Sequence, residues 1–102
     1  MTLNRVMVRY KCKADKVAEN ERLIADVFDE LDRESPAGFR YASFKLEDGQ
    51  TFVHIVLEEP VEAPRSLAEM PAFQAFTAGI EDRCEEPPMV SGMTPAGSYR
   101  FL

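Results

Sequence analysis

FRYASFKLEDGQTFVHIVLE, residues 39–58, holds two alternating stretches on either side of Asp48-Gly49. An Asp-Gly pair between such stretches is a strong hairpin signal, because the tight turn needs residues that tolerate positive φ. A two-residue turn sets Glu47 opposite Gln50. Stepping back along both strands then pairs Lys45 with Phe52, Ser43 with His54 and Tyr41 with Val56. One face of the hairpin carries Ala42, Phe44, Leu46, Val53, Ile55 and Leu57, and the other carries Tyr41, Ser43, Lys45, Phe52, His54 and Val56. The first set is the more apolar and is expected to meet the helices. His54, the single histidine of the chain, is therefore expected on the face turned away from them. Phe52, Val56 and Tyr41 on that face call for a cover, and a second copy around a two-fold axis supplies one.

Outward from the hairpin, the pattern changes twice on each side. Arg5 to Cys12 alternates, with Val6, Val8, Tyr10 and Cys12 pointing one way and Arg5, Met7, Arg9 and Lys11 the other, the period of a strand. From Ala14 to Leu31 a helical stripe of Val17, Ile24, Val27, Phe28 and Leu31 appears, with Asn20 set within it. Ser35-Pro36-Ala37-Gly38 ends that helix. After the acidic loop Glu59–Pro64, Ser66-Leu67-Ala68-Glu69 has the spacing of a capping box, and a helix is expected from about Pro71 to about Cys84, closed by Pro87-Pro88. Met89 to Leu102 reads as a last strand, bent at Pro95-Ala96-Gly97. The resulting order, strand, helix, strand, strand, helix, strand, is the ferredoxin-like βαββαβ arrangement, an α+β fold with a four-stranded antiparallel sheet and both helices on one face. Residues 1–102 form one domain in this reading, with no repeat or linker to divide them.

Composition bounds the function. At 102 residues the chain is small enough that covering a second sheet face with a homodimer partner helps it fold. The net charge of −6, with no cluster of Lys or Arg, argues against nucleic acid as a partner, since phosphate neutralisation supplies much of that affinity. No apolar run approaches the roughly 20 residues that span a bilayer, and Met1 to Arg5 lacks the apolar core of a signal peptide, so a cytoplasmic location is expected. Cys12 and Cys84 lie far apart in sequence and match no zinc or CxxC spacing, which favours two reduced, buried thiols and no metal.

The segments RYKCKADKVAENERLIADVFDELDRESPAGFRYASFKLEDGQTFVHI (9–55) and EMPAFQAFTAGIEDRCEEPP (69–88) resemble the small dimeric α/β-barrel proteins grouped with the antibiotic biosynthesis monooxygenases. The resemblance runs from about Val6 to Arg100. It implies oxygenation of a phenolic or quinol-type small molecule without metal, flavin or other cofactor. Relatives that degrade haem use an Asn, Trp, His set, which this chain cannot complete because it has no tryptophan. The second reading from the residues is a non-catalytic homodimer of the same fold that binds a small aromatic ligand or simply assembles.

His54 is the candidate general base, since an imidazole titrating near 6.5 suits removal of a phenolic proton; otherwise it is a structural imidazole bonded to Ser43 or to the partner chain. Arg9, Tyr41, Ser43, Asn20 and Tyr10 are the candidate substrate-binding residues, with Arg9 or Lys45 as a cation beside the resulting anion. Tyr10, Phe44, Phe73 and Phe76 are expected around any space between sheet and helices, as plain core or as the wall of a pocket. Met7, Met70, Met89 and Met93 are gap-fillers or a pliable lining.

Overall fold

A computed structural model describes residues 4–59 and 67–101. Strand β1 (Asn4–Cys12) passes through a single 3-10 turn into helix α1 (Val17–Glu34), followed by strands β2 (Phe39–Lys45) and β3 (Thr51–Glu58). A 3-10 turn at Leu67–Glu69, helix α2 (Pro71–Thr77), a one-turn helix α3 (Ile80–Arg83) and strand β4 (Cys84–Gly92) complete the chain. The sheet is antiparallel with order β2-β3-β1-β4, so the strands at the sequence ends of the fold sit side by side, as a ferredoxin-like sheet requires. The Ser66 end of the expected capping box, residues 60–64 of the acidic loop and the N-terminal residues 1–3 lie outside the described residues.

Helix α1 follows its sequence stripe. Asn20, Val27 and Glu30 are buried along it, and Val17, Leu23, Ile24 and Leu31 pack on the core from the same side. It ends where Ser35 turns left-handed and its N–H returns to the Leu31 carbonyl at 2.8 Å. The hairpin also has the expected register, with Lys45 opposite Phe52, Ser43 opposite His54 and Tyr41 opposite Val56. The turn itself is wider than two residues: Leu46 N–H donates to the Thr51 carbonyl at 2.8 Å, and Asp48 Oδ1 accepts from the N–H groups of Gln50 and Thr51. Adding one residue on each side of the turn keeps the parity, so no side chain changes face.

The face assignment, by contrast, is reversed. Tyr10, Cys12 and Phe52 belong to the core beneath the helices, and His54 is 3 % exposed among them. Tyr41, Val8 and Phe76 pack around the same cluster. The face away from the helices carries Met7, Arg9, Ala42, Phe44, Val53 and Ile55, and Phe44 is about half exposed at 49 %. The homodimer surface expected through Tyr41, Phe52, His54 and Val56 is thus covered by the chain's own helices. Phe44, expected beside the helices, lies on the opposite face.

The C-terminal third departs from expectation as well. The helix expected from Pro71 to Cys84 breaks at Ala78-Gly79, where Gly79 adopts φ +76°, a left-handed value that a residue with a Cβ rarely takes. Pro87-Pro88 does not close a helix but lies inside β4, an edge strand. Arg9 pairs with Met89 and Lys11 with Glu86, so both prolines face the single residue Tyr10 in a bulge. A bulge on an edge is where the missing proline N–H costs least. The strand leaves the sheet after Gly92, and 93–101 is irregular.

Candidate functional site

Five side chains from five elements form one chain of hydrogen bonds between sheet and helices. Arg83 Nε donates to Asn20 Oδ1 at 3.1 Å, and Asn20 Nδ2 donates to the Tyr10 hydroxyl at 2.9 Å. The Tyr10 hydroxyl lies 2.8 Å from His54 Nε2, and His54 Nδ1 lies 2.7 Å from the Tyr41 hydroxyl. Ser43 Oγ approaches His54 Nε2 at 3.4 Å, a weaker contact. Arg83, Asn20, Tyr10 and His54 are each at most 3 % exposed.

The direction of the protons follows from what each group can donate. A guanidinium only donates, so Asn20 turns its oxygen to Arg83 and its amide to Tyr10. With Tyr10 Oη accepting from Asn20, the buried Tyr10 proton needs an acceptor, and His54 Nε2 supplies it. His54 is then the Nδ1–H tautomer, donating to Tyr41 Oη. The Tyr41 proton is left to point away from the chain. Each bond polarises the next in the same sense, which makes the Tyr41 hydroxyl a strengthened donor at the end of a chain begun by a cation.

Burial tunes these groups consistently. It lowers the His54 pKa from 6.5 to about 4, so the imidazole is neutral at pH 7. It also raises both tyrosines well above an ordinary phenol, the Asn20 hydrogen bond opposing the rise at Tyr10. Both hydroxyls therefore keep their protons. Among the described residues, no carboxylate forms an ion pair with the buried Arg83 cation. Its remaining N–H groups reach the carbonyls of Phe76 and Ala78 at the C-terminal end of α2, and its guanidinium lies 5.4 Å from the Phe76 ring centre.

Tyr41 and His54 border a cavity of about 250 Å³ whose other walls include Val8, Tyr10, Phe73, Phe76 and Ile80, with Pro88 and Val90 of the edge strand on its rim. Its lining is almost wholly apolar and aromatic. Tyr41 and His54 bring the end of the hydrogen-bonded chain up to the wall of this space.

Of the residues singled out in the sequence, His54, Tyr10, Asn20, Tyr41 and Ser43 converge here. Arg9 does not. It sits on the outer face, between Val53 and Met89, and Lys45 is ion-paired with Glu21 at 3.3 Å near the surface. The cation of the site is Arg83, which sequence reasoning placed inside a continuing helix. Its only signal was Gly79, which ends α2 early and turns the next residues inward. Among the described residues, no group of three or more His, Cys, Asp or Glu side chains is arranged to hold a metal ion, and no helix is long and apolar enough to cross a membrane.

No family model and no curated protein matches the sequence. Solved structures do match the fold. A Mycobacterium tuberculosis protein superposes with a TM-score of 0.75 at 16% identity, over 95% of this chain and 98% of its own. An antibiotic biosynthesis monooxygenase gives 0.72 at 18% identity, over 94% and 100%. SnoaB, a cofactor-independent oxygenase from Streptomyces nogalater, gives 0.70 at 17% identity, over 98% and 99%. The chain thus has the ferredoxin-like fold of the antibiotic biosynthesis monooxygenases.

Proposed function

We propose that the protein is a cofactor-independent monooxygenase for a flat phenolic or quinol-type molecule, held in the cavity beside Tyr41 and His54. The observation that carries the reading is the directed hydrogen-bond chain from Arg83 to Tyr41, ending at an otherwise apolar cavity of about 250 Å³. The likeness to SnoaB, named as a cofactor-independent oxygenase, supports the same class.

The chemistry such a reaction asks of the protein is modest. An aromatic substrate with a methylene or hydroxyl group conjugated to a carbonyl must lose a proton and be held as an electron-rich anion. Tyr41 Oη donates to the oxygen on which the negative charge resides. A donor fixed in a dry, low-dielectric site favours the anion over its conjugate acid, and the proton departs through the cavity mouth. The anion passes one electron to dioxygen, and the resulting radical pair combines through a carbon–oxygen bond into a peroxide anion, which takes up a proton from water to become a hydroperoxide. For a methylene substrate, loss of water from that hydroperoxide leaves a carbonyl, with one oxygen atom in the product and one in water. His54 acts by holding Tyr41 in the donating sense, and its catalytic role is to fix that proton rather than to sit free as a base.

Oxygen uptake with anthrone- and quinol-type compounds tests the reading. Tyr41→Phe removes the donor and is expected to lower turnover by about a hundredfold, the scale of one oxyanion donor. His54→Ala is expected to lose a similar factor. The occupation of both His54 nitrogens also favours a second reading, a ligand-binding module without turnover. Ligands that raise the melting temperature without any oxygen uptake would select that module and end the oxygenase reading.

We also propose that the protein is a homodimer, paired through the outer sheet face that carries Phe44, Val53 and Ile55.

A further inference from the structure

Cys12 and Cys84, 72 positions apart in the chain, are directly opposite each other across β1 and β4. The hydrogen bond beside them defines the kind of pair they make. Lys13 N–H donates to the Arg83 carbonyl at 2.8 Å, linking the residue after Cys12 to the residue before Cys84. In an antiparallel ladder that bond flanks a non-hydrogen-bonded pair, the site at which opposed Cα atoms come within about 4.5 Å and side chains are closest. A disulfide spans Cα separations of about 4.4–6.8 Å, a range that includes the ordinary spacing of such a pair. Both side chains belong to the core cluster beneath the helices, and both thiols are free.

We propose that Cys12 and Cys84 form a redox pair that closes into a cross-strand disulfide when the protein meets a low-molecular-weight disulfide or an equivalent two-electron oxidant. Cys84 is the first to react. It is 8 % exposed at the start of the edge strand, whereas Cys12 is fully enclosed on a central strand. The Cys84 thiolate attacks one sulfur of the oxidant and releases the first small thiol. The Cys12 thiolate then attacks Cys84 Sγ in the mixed disulfide and releases the second. Two protein thiols lose two electrons and two protons, and one small disulfide becomes two thiols. Burial raises both thiol pKa values, Cys12 to about 11, which keeps the pair slow while the edge strand is closed. Reaction accordingly follows opening of β4, whose two bulges interrupt its ladder with β1.

The inference does not depend on the oxygenase reading. The test incubates the reduced, purified protein with oxidised glutathione, quenches it under denaturing conditions and reads intact and peptide masses. The expected product has lost two hydrogens, carries no glutathione and yields a linked peptide containing Cys12 and Cys84. Cys12→Ser should instead accumulate a glutathione adduct on Cys84, because no second thiol is present to resolve it. A stable adduct in the wild-type chain, a link between two chains, or two free thiols after exposure in mild denaturant would overturn the proposal. The wild-type result decides the matter even if the variant folds poorly.

Discussion

The inner face of the sheet sets Tyr10, Tyr41, Ser43 and His54 beneath the helices, while the outer face presents Met7, Ala42, Phe44, Val53 and Ile55. By side-chain composition the outer face is the more apolar of the two, yet it is the inner one that the helices cover. The difference is explained by how polarity is satisfied rather than by how much of it there is. Every polar atom in the run from Arg83 Nε to His54 Nδ1 has a partner, so burying it carries little of the penalty of an unpaired group. The aromatic bodies of Tyr10, Phe52, His54 and Phe76 meanwhile pack on one another, with Tyr10 and Phe52 stacked at 5.5 Å. A mainly apolar face such as the outer one needs no such matching and can be covered by another apolar surface, including its own copy.

The two arginines of the sequence that bear on this contrast give its largest test. Arg83 closes three hydrogen bonds in the interior, and Arg83→Ala leaves Asn20 Oδ1 and the Phe76 carbonyl unpaired beside a void. A loss of about 3 kcal/mol or more is expected in urea titrations, from unpaired buried groups and lost packing together. Arg9→Ala on the exposed outer face is expected to stay within about 0.5 kcal/mol of wild type. Equal effects at the two sites would break the distinction between the faces.

The outer face supplies the next test. Phe44 is half exposed in the single chain, so Phe44→Lys is expected to leave the fold intact. In a homodimer joined through this face it buries unpaired charge, and the Kd of the dimer is expected to rise by roughly a hundredfold, an interface loss of about 2.7 kcal/mol. Sedimentation or light scattering of wild type and variant reads it. A wild-type chain that is monomeric at micromolar concentration removes the dimer.

These contrasts also mark what could be read from the residues alone. The hairpin register was legible because Asp48-Gly49 fixes parity, and parity survives a wider turn. The helix stripe of α1 was legible because its period is carried by six positions, Asn20 among them. Which face of the hairpin turns inward was not legible from apolarity, since a satisfied His54 and Tyr41 look polar in a sequence and behave as core in the fold. Pairing held the missing clue: Val8 lies opposite His54 and Tyr10 opposite Phe52, so the strand-one residues assigned to the core carry His54 with them. Arg83 was hidden by a helix expected to run through Gly79, and the bulge at Pro87-Pro88 looked like a helix stop. Cys12 and Cys84 seemed remote because their adjacency depends on where β4 begins.

Per pH unit the smallest expected effect is a pH dependence that belongs to the inner face. An unfolded histidine titrates near 6.5, and folded His54 near about 4 because burial disfavours its charged form. Between those values the unfolded chain holds a proton that the folded chain refuses. Stability is therefore flat above about pH 6.5 and falls as pH drops from there toward 4, with a slope of at most about 1.4 kcal/mol per pH unit. Asp48, at the exposed hairpin turn, acts in the same sense in a separate and lower window. Hydrogen bonds from Thr51 and Gln50 hold its carboxyl at about 2, so its contribution is present above its ordinary 3.8 and is lost as pH falls through about 2. Urea midpoints measured across the weakly acidic range separate the two, because His54→Gln should flatten the slope between 6.5 and 4 and leave the lower decline in place. A wild-type midpoint that does not change between 6.5 and 4 would mean that His54 takes up its proton freely in the folded state. The Tyr10–His54–Tyr41 chain could not then be the sealed, directed array on which the role of Tyr41 depends.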